Sequence, residues 1–556
     1  MLLSFIYLSF ILHPSFIHPP IFLQTQIHHN IQSPSLFTTH HSLLTLLTIN
    51  TIFSYICTVN PLKRLAGQTA IYGIPTILGR FLQYLLVILL TRIFTRGEYG
   101  VISVFYSYAS FLMVILTYGM ETTFFRFSEA EERKDRVFST AMLSVGLTSI
   151  AFLFLSNAFA GTLATWIQYP LHPEYVIWFA WILGLDAISS IPFARLRAQN
   201  KAKRFATIKF INILANIGLT LFFLLLCPFL LRHHPGLRDN WIFNLIYRSD
   251  WTIEYVFIAN LLASILTFIL LMPQVIGMKF EFHKELWRKM MLYTWPLLFA
   301  GMAGIVNETF DRLLLRYLLP RNISEAQVGI YSACYKISIL MTLFVQAYRF
   351  AAEPFFFAQA KEKDANLVYA RIMDFFIITV SFIFLLTMLF LDDGFILLIG
   401  AKFRIGKNVI PILLLANLFL GVYYNLSIWY KLTSQTIWGA WFSLIGAVIT
   451  LVLNFWWIPL SPDHLIFGYL GSAWATFICY GSMMVLSYLV GQRYFKVPYN
   501  LTKFFVYLGL SMVLYAVSVF VPIETLILRI AFRTLLLLIF AGIAWQIEKP
   551  GLAKVS

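Results

Sequence analysis

Apolar runs of about twenty residues, long enough to cross a hydrocarbon layer as an α-helix, recur along this chain with only short polar breaks between them. Read from break to break, they predict helices near residues 70–94, 99–124, 137–165, 174–196, 205–231, 252–276, 291–319, 326–352, 367–391, 408–430, 436–458, 465–490, 501–521 and 524–546. The expected fold class is therefore all-α, a polytopic integral membrane protein with about 14 transmembrane helices. No connection is long enough to fold as a water-soluble domain.

Composition agrees with the pattern. Of the 556 residues, 60% are hydrophobic and 12% charged, with a mean hydropathy of +0.78, against about 25% charged in ordinary soluble domains. A net charge of +16 would suggest nucleic acid in a soluble protein. Here the Lys and Arg cluster in alternate connections: Arg133, Lys134 and Arg136; Arg195 to Arg204; Lys279 to Lys289; Lys361 and Lys363; Arg493 and Lys496; Lys549 and Lys554. That alternation follows the positive-inside rule and places both termini in the cytoplasm, with membrane lipids rather than nucleic acid around the chain. Cys57, Cys227, Cys334 and Cys479 are widely spaced, which suggests neither a disulfide framework nor a metal site, and no cofactor motif is present.

Residues 1–60 form an atypical N-terminal extension. They contain no Asp, Glu, Lys, Arg, Gly, Ala or Trp but include His13, His18, His28, His29, His40 and His41. They lack the basic start and small-residue cleavage site of a signal peptide. Val, Ala, Asp, Glu and Gly, all encoded by codons beginning with G, are missing before Val59. The expectation is a start codon assigned too early, with the working protein beginning near Pro61 to Lys63; His-rich metal binding is the alternative.

A short internal repeat divides the remainder. Glu98-Tyr99-Gly100-Val101-Ile102-Ser103 follows the first predicted span, and Gln327-Val328-Gly329-Ile330-Tyr331-Ser332 follows the seventh. Recurrence on the same membrane side fits a parallel repeat about an axis along the membrane normal. The expected organisation is a first six-helix bundle over 61–276, a second over 277–490, and two extra helices with a tail over 491–556.

Ionisable residues inside spans are costly and usually face a bundle interior or a wet cavity. Arg80 lies midway along the first span, and Lys336 near the middle of the eighth. Glu308, Arg312 and Arg316 fall at i, i+4 and i+8 beside Asp311, either as a self-satisfied ion-pair stripe or as cavity lining. Arg349 and Glu353 pair at the membrane rim or line the same cavity, and Lys209, Asn212 and Asn216 make a further polar stripe. Asp186 and Asp374 stand alone in the fourth and ninth spans, with helix–helix hydrogen bonding as their default role. Arg80, Arg312, Arg316, Lys336 and Arg349 are thus candidates to hold an anionic headgroup, since Arg binds phosphate oxygens bidentately and stays charged when desolvated. Asp186, Glu308, Asp311, Glu353 and Asp374 are candidate coupling or structural acids. Asp392-Asp393 mimics a metal-binding acid pair, with a solvated turn before Gly394 as the favoured reading.

Several stretches resemble the polysaccharide biosynthesis proteins of the Wzx-type flippase family, part of the multidrug, oligosaccharidyl-lipid and polysaccharide exporter (MOP) superfamily. They are Arg92 to Gly100; Leu196-Arg197-Ala198-Gln199-Asn200-Lys201-Ala202 running to Asn216-Ile217-Gly218; Asp311 with Val328-Gly329-Ile330-Tyr331; Glu353-Pro354; Leu453-Asn454 with Ile458-Pro459; and Gly468-Tyr469-Leu470-Gly471-Ser472-Ala473. The resemblance covers roughly residues 62–546. It implies two MATE-like six-helix bundles around a V-shaped cavity, two extra C-terminal helices, and location in a bacterial inner membrane. It also implies alternating-access translocation of an undecaprenyl-diphosphate-linked oligosaccharide, for O-antigen, capsule or exopolysaccharide, alongside a polysaccharide polymerase or other assembly proteins. A multidrug or toxin antiporter of the same superfamily is the sister reading, although Arg80 stands in a first helix that has no acid. A flippase for the peptidoglycan precursor would also suit a cationic cavity. A polytopic glycosyltransferase or O-antigen polymerase is the enzymatic alternative; no G-x-x-x-x-G-K-[ST] loop for ATP is present.

Overall fold

The computed structural model describes residues 79, 82, 84–131, 133–360, 362 and 364–552. The N-terminal extension, Cys57 and Arg80 lie outside them. The fold is all-α and polytopic, and no strand occurs among the described residues. Of these residues, 13 helices are long and apolar enough to span a membrane, preceded by a shorter apolar helix, Tyr84–Ile93.

The membrane helices are α1 (Tyr84–Ile93), α2 (Arg96–Thr117), α3 (Lys134–Ala158), α4 (Pro173–Ala198), α5 (Ala202–Leu221), α6 (Ile253–Val275), α7 (Lys284–Leu318), α8 (Arg321–Gln359), α9 (Ala365–Leu389), α10 (Val409–Leu426), α11 (Ile437–Trp457), α12 (Tyr469–Tyr494), α13 (Leu501–Phe520) and α14 (Leu526–Leu552). They fall in the order and near the positions that the apolar runs predict. Helices α7 and α8 begin several residues earlier, and α8 and α14 end later, whereas α2, α3 and α5 end earlier, each at a break before a further helical segment, Met120–Ala130, Ala160–Trp166 and Cys227–His233. The described residues divide between a large unit that ends at Arg533 and a second to which the end of α14, from Thr534, belongs.

Local chemistry sets the helix ends. Thr95 opens α2 with a capping box: its hydroxyl accepts from Glu98 N at 3.3 Å while Glu98 Oε2 accepts from Thr95 N at 2.7 Å. At the other end of α2, Tyr118 and Gly119 adopt left-handed φ values of 36° and 75°, breaking the helix before Met120–Ala130 resumes it. Helix α5 passes through a π-turn at Phe222–Leu226 just before Pro228, where a missing amide donor disrupts the regular ladder.

Within the larger unit, α3 packs on α4, α4 on α6, and α6 on α5, while α10 packs on α12, α12 on α11, and α11 on α7. Helix α2 lies against both α7 and α8. The two repeat segments meet there. A Cβ on Gly100 would stand 1.9 Å from Glu325 O, and a Cβ on Gly329 would stand 2.0 Å from Arg96 O. Each glycine thus faces the carbonyl four residues before its counterpart, a reciprocal arrangement that gives the sequence repeat its physical meaning.

Side-chain polar bonds tie the other elements together. Asn212 Nδ2 donates to Ala263 O at 3.1 Å and Thr267 Oγ1 at 2.8 Å, and Asn216 Nδ2 donates to Asn260 Oδ1 at 3.1 Å, so the stripe on α5 joins it to α6. Asp374 on α9 pairs with Lys503 of α13 at 2.8 Å. Asp393 is no solvated turn residue: its side chain is 11% exposed, and it pairs with Arg529 at 2.6 Å and with Arg533. It holds the first turns of α14, whereas Asp392 pairs with Lys407 at 3.2 Å.

Candidate functional site: a polar cavity among helices α7 to α12

The five helices α7, α8, α10, α11 and α12 line an open cavity of about 240 Å³. Glu308 enters from α7, Arg349 from α8, Tyr423 and Tyr424 from α10, Ser443 from α11 and Tyr480 from α12. Tyr430 and Lys431 come from a short helix, Ile428–Leu432, that follows α10. A second, tighter space of about 20 Å³ adjoins it, and Arg349, Tyr424, Ser427 and Lys431 line both. The larger volume is below the ~300–1,000 Å³ of typical small-molecule sites; it suits a headgroup rather than an oligosaccharide.

The wall shared by the two spaces is a charged cluster. Lys431 Nζ lies 2.6 Å from Glu353 Oε1, and Arg349 Nε lies 3.8 Å from Glu353 Oε2. The Arg349 guanidinium also sits 5.0 Å from the Tyr424 ring centroid, a cation–π placement that keeps a planar cation on an aromatic face. Its side chain remains 50% exposed. The floor is made rigid by ordinary hydrogen bonds: Asn307 Nδ2 donates to Ser443 O at 3.0 Å, and Tyr480 OH donates to Asn307 O at 3.2 Å.

Of the residues singled out in the sequence, Glu308, Arg349 and Glu353 come together at these two spaces. Arg312 and Arg316 do not. Arg312, 9% exposed, pairs with Asp311 at 3.0 Å, donates to Glu308 O at 2.9 Å and stacks on Tyr335 at 4.5 Å. Asp311 Oδ2 also accepts from Tyr331 OH. Arg316, 3% exposed, pairs with Glu325 at 3.1 Å, donates to Ser324 Oγ at 2.8 Å and stacks on Tyr169 at 4.8 Å. The helical stripe of Glu308, Arg312 and Arg316 is therefore split: Glu308 lines the cavity, while both guanidinium groups are enclosed by protein. Lys336 is half-buried on α8. Asp186, half-buried on α4, faces Ser264 of α6 and Lys209 of α5, and Asp374 is engaged by Lys503.

Lys431 is the cation that the sequence reading passed over. It falls one residue beyond the predicted tenth span, where a basic residue looks like an ordinary membrane-flanking charge. Its pairing partner is 78 positions away, and no local spacing signals such a contact. The tyrosines were hidden for a similar reason, because Tyr is also enriched at membrane interfaces.

This is the fold of a many-span membrane protein, with charged and aromatic side chains gathered inside a helix bundle. The chain belongs to the polysaccharide biosynthesis protein family, which it matches over residues 65–359, more than half its length. No curated protein sequence matches it. Among solved structures it is similar to the lipid II flippase MurJ in an inward closed conformation, at 16% identity and a TM-score of 0.62, covering 85% of this chain and 98% of that one. It is also similar to a multidrug resistance MATE family transporter of the MOP superfamily. The inward-facing form gives 12% identity and a TM-score of 0.56, covering 75% of this chain and 94% of that one. The outward-facing form gives 13% and 0.52, covering 77% and 94%. The MATE-like fold expected from the sequence is thereby established.

Proposed function

We propose that the protein is a flippase that carries undecaprenyl-diphosphate-linked oligosaccharide units across a bacterial inner membrane for surface polysaccharide synthesis. The observation that carries this reading is the convergence of Arg349 and Lys431 on a tyrosine-lined cavity in a chain of the polysaccharide biosynthesis family. Two cations side by side match the paired charges of a diphosphate, and Arg adds bidentate geometry. The tyrosine rings offer apolar faces and hydroxyls to a sugar. The lipid tail stays in the bilayer, so only the polar headgroup has to fit the cavity.

Alternating access between two bundles, 61–276 and 277–490, moves the headgroup from one face to the other. With both termini cytoplasmic, Arg349, Glu353 and Lys431 lie toward the cytoplasmic side, where the lipid-linked precursor is made. A periplasmic polymerase or other assembly protein then receives the unit. Arg80 stays in the proposal as a headgroup contact from the first helix on the strength of its place in the sequence. Arg312, Arg316 and Lys336 contribute charge behind the cavity wall or meet the headgroup in another state of the cycle.

Replacing Arg349 and Lys431 together by Met is expected to stop glycan export at normal protein abundance and to accumulate lipid-diphosphate-linked repeat units on the cytoplasmic leaflet. Surface polysaccharide staining and extraction of the lipid-linked pool read both effects. Unchanged polysaccharide with altered drug resistance would instead assign the cavity to a multidrug antiporter.

A further inference from the structure

Glu353 occupies a position that the cationic-cavity reading does not require. Its carboxylate bridges Lys431 at 2.6 Å and Arg349 at 3.8 Å. It lines the tight space of about 20 Å³ but not the cavity of about 240 Å³, whereas both cations line the two. The cations therefore stand as a partition, with an acid of the protein on one side and room for a ligand on the other. Lys431 is 25% exposed and Glu353 36% exposed, so the pair is open enough to water to separate and re-form.

We propose that Glu353 is a resident stand-in for the substrate's diphosphate. In the empty cavity it neutralises Arg349 and Lys431. An arriving diphosphate approaches from the larger cavity, takes over the two cations, and leaves Glu353 to the solvent of the smaller space. When the headgroup departs, Glu353 recovers its partners. The acid thus sets how tightly the headgroup is held: without it, empty-state cations would lack a counter-charge, and their grip on an anion would strengthen. For a carrier, that is a disadvantage, because holding the substrate more firmly at every stage lowers the apparent dissociation constant without speeding turnover. The favoured direction of exchange follows from differential binding to the two cations, as any ligand-driven shift must. The inference rests on the cationic-cavity reading and deepens it by assigning a release function to a carboxylate.

The test uses the full chain purified in detergent, titrated calorimetrically with inorganic pyrophosphate, together with export assays in cells. Glu353→Gln is expected to bind pyrophosphate about fivefold more tightly, the upper range for a partly exposed ion pair, and to export glycan more slowly at normal abundance. Glu353→Ala, which removes the carboxylate without supplying an amide, is expected to tighten binding similarly. Lys431→Met is expected to weaken binding in the wild type and in each Glu353 variant. If Glu353→Gln and Glu353→Ala leave the affinity unchanged or weaken it while Lys431→Met abolishes binding, the exchange role of Glu353 is overturned and the headgroup site survives. If the wild type and all variants fail to bind pyrophosphate, and export persists without Arg349 and Lys431, the headgroup site and the exchange role both fall.

Discussion

Gly100→Val and Gly329→Val, each introduced alone, are expected to cut glycan export by an order of magnitude or more without removing the protein from the membrane. The missing Cβ atoms would stand 1.9 Å from Glu325 O and 2.0 Å from Arg96 O, well inside the separation any carbon and oxygen tolerate. Both obstacles are backbone atoms, so no side chain can swing away, and the starts of α2 and α8 must separate instead. Overpacking of this kind costs about 1–3 kcal/mol, enough to shift a conformational equilibrium roughly 5–150-fold. The neighbouring contacts make separation more expensive. Tyr469 N donates to Gln327 Oε1 at 3.3 Å, and Gly468, at a φ of 59°, would place a Cβ 2.8 Å from the same oxygen. Separating α8 from α2 therefore strains the α11–α12 turn as well. Because the two glycines share one crossing, the double variant is expected to be little worse than either single variant. Wild-type export from both single variants, measured at equal abundance, would show that this crossing is not closed during transport.

The helices were legible because crossing a hydrocarbon layer imposes a length and an apolarity that no tertiary contact can override. The site was less legible, and the family-like stretches show why. Most of them build the scaffold. Asn454 Oδ1 accepts from Ser472 Oγ at 2.8 Å, and a Cβ on Gly471 would stand 2.5 Å from Ile466 O, so the paired motifs of α11 and α12 shape one turn. Arg197 pairs with Glu121 at 2.6 Å, and Asn200 turns the chain at a φ of 55°. Gly100 and Gly329 make the crossing of α2 and α8. Glu353, by contrast, belongs to the cavity cluster, and its spacing of four from Arg349 was visible. Lys431 was not visible, since its meaning depends on α8 and the turn after α10 lying side by side. Helical spacing groups charged residues into stripes, yet it does not say which member faces inward. A rotation of 40° between Glu308 and Arg312, the residue left over by four steps of 100°, is enough to send one to the cavity and the other into the packed interface with α8.

That partition gives Arg312 its sharpest test. Asp311→Ala is expected to lower thermal stability in detergent more than any other single charge removal proposed for this protein. The carboxylate is enclosed at 3% side-chain exposure and holds the guanidinium at 3.0 Å. Removing it leaves Arg312 between the rings of Tyr331 and Tyr335 without the carboxylate that pairs with it. Breaking a buried pair from one side costs about 3–5 kcal/mol, whereas replacing both partners with apolar residues of similar volume is often neutral. Asp311→Leu combined with Arg312→Met is therefore expected to recover most of the melting temperature lost in Asp311→Leu alone, the recovered part being the cost of a buried guanidinium left without its carboxylate. An Asp311→Ala protein that melts with the wild type would refute the enclosed pairing. Export by the stable double variant then separates two roles that the sequence left together. If it transports, Arg312 serves the α7–α8 interface alone. If it is stable and inactive, Arg312 leaves Asp311 during the cycle and meets the headgroup, and the ion pair is a working part of translocation rather than a fastening.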